Sequence, residues 1–462
     1  MVIISNQEPS DNPEKAKSTN KRTEITAKQE QGGWWSGTGC FLPAELADVI
    51  REEGHWLATP INQEGYGDRL FYYEDGAYRR SGEALARKLA DKKLGRWSKP
   101  EYIDATIKLL KQRVGTEEEK VDNYDGYEES LLNVKNGMLG LKTRTLYEPG
   151  AEYLSTIQLP VVYDPKARSA VVESFIRQVM NPDAINIFWE IAGTILSGHT
   201  KHEKVAFLTG PRASGKSTAI KMIEAMVGKE NTSAVSLHDL TSNRFRLAEL
   251  QGKILNVCPD LGNQPLVDVG IFKIVVSGDT VTAERKHCPP FKFRPKAIQW
   301  YSANELPESP DKGTSFTERL AILRFPHSFL GQKRDKHLIE KLTTPEALSA
   351  ILNHALEGLK RLEKQVDFTQ AKSIREETEK YRVQNDPVFA FIDDAIGMQE
   401  DNTIFRSEIA ERFALWCKES GLRMPPLRKL YDGLREMGAK ECKKSWGKSQ
   451  HRAWGGICWK SR

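Results

Sequence analysis

The stretch Gly210-Pro211-Arg212-Ala213-Ser214-Gly215-Lys216-Ser217-Thr218 decides the fold, because it satisfies G-x-x-x-x-G-K-[ST]. Lys204-Val205-Ala206-Phe207-Leu208-Thr209 before it reads as a buried strand. Ala219 to Val227 after it carries apolar residues at helical spacing and stops at Gly228. Glycines at both ends of such a loop let backbone N–H groups converge on phosphate oxygens. Lys216 is then expected to reach the β- and γ-phosphates, and the Ser217 hydroxyl to ligate Mg²⁺. A glycine turn joining strand to helix is the alternative. No GTP-specific signature is present, so ATP with Mg²⁺ is the expected ligand pair.

The 462 residues exceed one ordinary domain. A hydrophobic share of 39% with 28% charged residues fits a globular chain. No apolar run approaches a membrane span; the longest candidate, Ile185 to Leu196, contains Asn186 and Glu190. The six cysteines form no C-x-x-C pair and no zinc spacing, which reads as free thiols in a reducing cytoplasm. Net charge is only +5, but residues 421–462 hold eleven Lys/Arg against three acids, interleaved with Tyr431, Trp446, Trp454 and Trp459. Such a segment suits phosphate contact or a solvated face.

Along the chain, residues 1–31 are polar and read as a disordered lead-in, followed by an α+β domain over 32–164. Asp75-Gly76 marks a hairpin turn within that domain. A helical collar is expected over 165–200, and a parallel-sheet ATPase domain over 201–345, where strands and helices alternate. A charged helical segment follows over 346–385, then a domain over 386–462 of helices closed by a strand pair within Trp446–Trp459, a winged-helix-like pattern.

Hydrolysis needs a carboxylate to organise Mg²⁺ and the attacking water. The apolar strand Lys253 to Cys258 leads through Pro259 to Asp260, the candidate, with Asp268 as the alternative. A second strand, Ala297 to Ala303, ends at Asn304, which could bond the γ-phosphate or water. Arg319 stands just before the strand Leu320 to Phe325; its always-charged fork suits a finger acting in trans, and a surface salt bridge is the plain alternative. Between the two strands, residues 279–294 read as a β-hairpin presenting Arg285, Lys286 and His287 at its tip.

The order of phosphate loop, acid-ending strand, basic hairpin, Asn304-Glu305-Leu306-Pro307 and Arg319 resembles a superfamily 3 helicase. It is most similar to the phage, plasmid and poxvirus primase-helicases. Asn133 to Thr143 and Leu159 to Pro165 resemble the domain that precedes the motor there, although Gly140 stands where that family usually has an acid. From Asp386-Pro387-Val388 onward the chain is similar to the family's winged-helix tail. The resemblance implies an AAA+-like P-loop motor. In that family Lys286 and His287 hold single-stranded DNA in a central channel, and Arg319 completes the neighbouring subunit's ATP site in a ring, a hexamer. It implies 3′→5′ translocation on single-stranded and forked DNA, and Asn304 as γ-phosphate sensor. Arg428, Lys429, Lys443 and Lys444 are expected to contact duplex DNA. The lead-in is too short for the primase domain many relatives carry, which implies either a separate primase or polymerase as partner or a chain that is a piece of a longer protein. Two other readings share the loop: an ATP-switched origin-binding initiator that does not travel, and a small-molecule P-loop kinase.

Overall fold

The computed structural model describes residues 24, 26–59, 69–117, 120–122, 129–311, 314–331, 335–446 and 449–460. The chain divides into two units, one of residues 1–163 with 282–292, the other of 164–281 with 293–462.

In the first unit, strands Trp56–Thr59, Arg69–Glu74 and Ala77–Arg79 form an antiparallel sheet. Asp75 and Gly76 turn between the last two with φ of 49° and 80°, the positive pair that a two-residue hairpin turn requires. Helices Pro43–Glu52, Gly82–Leu94 and Pro100–Arg113 close over Trp34, Trp35, Leu46, Ile50, Trp56, Leu94 and Leu110. A second sheet joins Leu131–Val134, Gly137–Gly140 and Leu146–Tyr147. Of the expected lead-in, residues 1–23 lie outside the described residues, and residues 26–31 are helical rather than disordered. Their order has a cause. The Lys28 ammonium sits 4.6 Å from the Trp97 ring centroid, and the Gln31 amide donates to the Lys93 carbonyl at 2.9 Å.

The second unit is built on a five-stranded parallel sheet: β1 Val205–Thr209, β2 Thr232–Ser233, β3 Leu255–Cys258, β4 Ile298–Ala303 and β5 Leu320–Arg324. Their spatial order is β5-β1-β4-β3-β2. Every residue of β1 and β4 is buried, as central strands of a parallel sheet covered on both faces must be. Helices Ala170–Val179 and Ile185–Leu196 precede the sheet, and Pro345–Gln365 follows it and packs on Ile185–Leu196. That packing buries Glu190 completely. Its carboxylate accepts from Arg361 Nε at 2.6 Å and from the Thr369 N–H at 2.9 Å, so the charge is paired and hydrogen-bonded.

The C-terminal residues run helix Pro387–Ala395, strand Ile396–Phe405, helices Arg406–Glu419 and Leu427–Glu436, then strands Lys440–Trp446 and Ser449–Trp459. The three strands are antiparallel, with Ser449–Trp459 in the middle. Phe391, Ile409, Phe413, Leu430, Leu434, Trp454 and Ile457 fill the core beneath them. Here the sequence reading needs correction. The closing strand pair begins earlier than expected, at Lys440, so that Trp446 ends its first strand and Ser449–Trp459 forms the second, and Ile396–Phe405 is a third strand that the polar run Gln399-Glu400-Asp401-Asn402 concealed. The pairing is irregular between Met398 and Thr403, over that same run.

No described helix is long and apolar enough to cross a membrane. All six cysteines are free.

Candidate functional site

The chain leaves β1 at Gly210, whose φ is 140°, and enters helix Lys216–Val227 through Gly215, whose φ is 97°. A Cβ on Gly210 would lie 2.2 Å from the Phe325 carbonyl oxygen, and one on Gly215 would lie 2.8 Å from Val179 Cγ1. Space and backbone angle therefore both demand glycine at these two positions. Lys216, only 8% exposed, folds back into the loop. Its Nζ donates to the carbonyls of Gly210 at 2.6 Å and Pro211 at 2.9 Å, with Ser214 Oγ at 3.4 Å and Asn304 Oδ1 at 3.3 Å. These partners are all uncharged oxygens. Burial pushes the Lys216 ammonium below the ordinary lysine pKa, and the Asp260 charge opposes that shift. A glycine cradle around a buried cation fits a polyphosphate group. Ser217 is exposed on the first turn of the helix, and Thr218 is half-buried beside it.

Strand order explains how residues far apart in sequence meet at Lys216. β4 lies between β1 and β3, with Ala303 opposite Thr209 and Tyr301 opposite Cys258. Asn304 therefore leaves the sheet beside Gly210. Asp260 leaves two residues beyond Cys258, where the Leu261 N–H donates to the Ser302 carbonyl at 2.8 Å. Asp260 is exposed, as a metal-side carboxylate must be. A hydroxyl, one carboxylate and phosphate oxygens are the donor set Mg²⁺ favours, so Ser217 and Asp260 fit that ion. Asp268, the alternative acid, accepts from the Gly270 N–H at 2.9 Å and closes a local turn.

Arg319 lies at the opposite end of the strands. Leu320 is paired with Val205 and Arg324 with Thr209, so Arg319 stands where β1 begins and the phosphate loop where it ends. The strand separates them by roughly 16 Å, at about 3.3 Å per residue. The Arg319 guanidinium meets Glu203 at 2.6 Å and donates to the Ser315 carbonyl at 2.5 Å. Nothing in the sequence signalled Glu203 as its partner. Also unforeseen was a strap following β5: the Phe325 N–H donates to the Thr209 carbonyl, Ser328 Oγ to the Arg212 carbonyl, and the Phe329 N–H to the Ala213 carbonyl, at 2.7, 2.9 and 3.1 Å.

Strands Val281–Ala283 and Phe291–Phe293 form a two-stranded sheet. Lys286 and His287 are exposed in the connection, and His287 has a φ of 62°. Arg285 differs from its expected tip position: it is half-buried, with its guanidinium 4.4 Å from the Phe291 ring centroid. In the C-terminal domain Arg428 is 91% exposed at the start of helix Leu427–Glu436, with Lys429 exposed beside it. Lys443 and Lys444 are exposed on strand Lys440–Trp446.

Two family models match the sequence. Residues 17–181 match one described as D5 N terminal like, and residues 208–319 match a family of unknown function, DUF5906. The second match runs from the end of β1 to Arg319 and so includes every residue of the phosphate loop, Asp260 and Asn304. A protein of Acanthamoeba polyphaga mimivirus named as a putative helicase is 28% identical over 167 residues. That alignment takes in 34% of this chain and spans 17% of the mimivirus protein's length. In fold, the chain is similar to the apo C-terminal region of NrS-1, with a TM-score of 0.52 at 11% identity, over 90% of this chain and 99% of that one. A further structure of the same region gives a TM-score of 0.50. The D5 N terminal like match and the mimivirus alignment support a primase-helicase-like family, and the likeness to NrS-1 is one of fold.

Proposed function

We propose that this chain is an ATP-dependent DNA helicase that works as a homo-oligomeric ring, a hexamer. It would move 3′→5′ on single-stranded DNA during replication of a phage, plasmid or other mobile element. One observation carries the reading: Lys216, Asn304 and Asp260 gather at one end of the parallel strands, and Arg319 stands at the other. An arginine so far from its own phosphate loop can serve a triphosphate only in the neighbouring copy. Lys216 and the loop N–H groups bind the phosphates, and Asn304 reports the γ-phosphate to β4. Mg²⁺ held by Ser217 and Asp260 would neutralise charge on the phosphate oxygens. Arg319 stabilises charge in the adjacent site. Exposed Lys286 and His287 grip the single strand. The C-terminal domain, read as a winged helix, touches duplex DNA ahead of the motor. A separate primase or polymerase would supply synthesis, and the cytoplasm of the host cell is the setting.

The test is the ATPase rate with and without single-stranded DNA, on wild type and on a mixture of Arg319→Ala with Asp260→Ala. Strong stimulation by DNA and partial rescue in the mixture are expected. A rate indifferent to DNA with no rescue sinks the proposal and leaves a self-contained ATPase or kinase. The basic C-terminal strands also suit an origin-binding initiator, and unwinding of a forked substrate separates that reading from a travelling helicase.

A further inference from the structure

The last two strands outrun the sheet they belong to. Ile396–Phe405 pairs with Ser449–Trp459 only as far as Phe405 opposite Ala453. Beyond that, Arg452, His451, Gln450 and Ser449 pair with Lys443, Lys444, Ser445 and Trp446 alone. A two-stranded ribbon therefore projects about 13 Å past the third strand, at about 3.3 Å per residue.

Its charge is of one sign. Lys443 lies directly opposite Arg452, both exposed, and like charges in that relation destabilise an antiparallel pair. Ser445 and Gln450, the next pair on the same face, add hydrogen-bonding groups. Lys444 and His451 share the other face, where the Lys444 ammonium reaches the Thr403 carbonyl at 3.2 Å. Glu441 is the last acid in the sequence, and it is bonded to Arg435 at 2.5 Å. The neighbouring helix Leu427–Glu436 sets Arg428, Lys429 and Arg435 against Asp432 and Glu436. Arg435 also meets Asp432 at 2.5 Å, and Arg428 approaches the same carboxylate at 3.9 Å. Arg428 and Arg435 thus face carboxylates, whereas Lys443 on the ribbon faces another cation.

We infer that the ribbon, through Lys443, Lys444, His451 and Arg452, is the duplex-DNA contact of this chain, and that Arg428 of helix Leu427–Glu436, drawn toward Asp432, contributes little to affinity. This rests on the proposed helicase function and names the surface that engages the duplex. Duplex fits better than a single strand because cations occupy both faces of the ribbon. A two-stranded ribbon entering a major groove about 12 Å wide meets a phosphate backbone on each wall. A single strand would engage one face and leave the other unused. The Lys443–Arg452 repulsion persists in the free protein and is relieved when phosphates lie between the two cations.

The test is fluorescence anisotropy of the full chain with a labelled 20-mer duplex and its single strand, titrated at several salt concentrations, alongside melting temperatures. Lys443→Glu/Lys444→Glu should weaken duplex binding tenfold or more and reduce the salt slope by about one per cation removed. Lys443→Glu alone should melt no lower than wild type, because it replaces a repulsive cross-strand pair with an attractive one. Arg428→Glu should cost less than threefold. Lys364→Glu, the same charge change on an exposed lysine of helix Pro345–Gln365, should change binding less than twofold. Ribbon variants that bind duplex like wild type, or an Arg428→Glu loss as large as theirs, would overturn the inference, as would wild type that does not bind duplex. ATPase indifferent to single-stranded DNA, with ribbon-dependent duplex binding intact, would overturn only the helicase reading.

Discussion

Lys216 Nζ donates a hydrogen bond to Asn304 Oδ1 at 3.3 Å, across 88 residues of sequence. The contact links the phosphate loop to the end of β4 and gives the two residues separable roles. Lys216→Ala should lower ATP turnover roughly 10²-fold or more, as loss of a preorganised charge at a reacting oxyanion does. Under the proposed role of Asn304 at the γ-phosphate, Asn304→Ala should lower kcat while KM for ATP changes less than about threefold. Asn304→Asp should instead raise KM, since a charge-assisted bond would hold Lys216 away from phosphate. Steady-state ATPase kinetics on the three variants distinguish these outcomes.

Gly210→Ala should be poorly tolerated. Its φ of 140° is a glycine conformation, and the added Cβ would sit 2.2 Å from the Phe325 carbonyl oxygen. A loss of about 2–4 kcal/mol is expected from strain and displaced backbone. Thermal melting should show it, together with loss of ATP-dependent stabilisation.

Arg319→Ala should reduce turnover by roughly 10³-fold with ATP affinity nearly unchanged, the behaviour of an arginine acting on a neighbour's transition state. Glu203→Gln should cost less than about tenfold. The Glu203 side chain is 43% exposed, and ion pairs of that kind contribute little. Equal losses in the two variants would show that the ion pair, and not the guanidinium alone, carries the function.

The Glu129 carboxylate occupies the space beside Gly140, the position where the resemblance expects an acid. Burial alone would raise its pKa. Hydrogen bonds from the Thr143 hydroxyl and from the N–H groups of Thr143 and Lys142 outweigh burial and hold it below the ordinary glutamate value. A Cβ on Gly140 would lie 2.3 Å from its Oε1. Gly140→Asp and Glu129→Ala should each destabilise, and the double variant should recover part of the loss, with a coupling of about 1–2 kcal/mol. The sign with pH follows from the lowered pKa. The wild-type advantage over Glu129→Gln should be full above the unfolded glutamate value and vanish as pH falls through the folded one. Melting temperatures between pH 7 and pH 3 check this.

Arg361→Ala should cost about 3–5 kcal/mol, because it strands the Glu190 carboxylate, which has no exposure to water. Arg361→Met with Glu190→Leu should restore most of the stability, which denaturant melts can measure.

The loop from Gly210 to Thr218 was legible because its pattern is local: two glycines, a lysine and a hydroxyl within nine residues, between a strand and a helix that periodicity reveals. The Asp75-Gly76 turn was legible for the same reason, since its φ preferences belong to those two residues. The strand Ile396–Phe405 escaped because its polar middle breaks the alternation that marks a strand. The ion pair of Arg319 with Glu203 and the strap after Phe325 left no trace in local pattern.

By itself, then, the sequence determined what each residue type could do: a lysine for phosphate, an acid for a metal, an arginine for a distant charge. Which of them meet was decided by the tertiary structure. The insertion of β4 between β1 and β3 brings Asn304 and Asp260 to Lys216, and the parallel direction of β5 carries Arg319 to the far end of the strands. Strand order depends on how buried faces pack across the whole sheet, and no window of neighbouring residues contains that information.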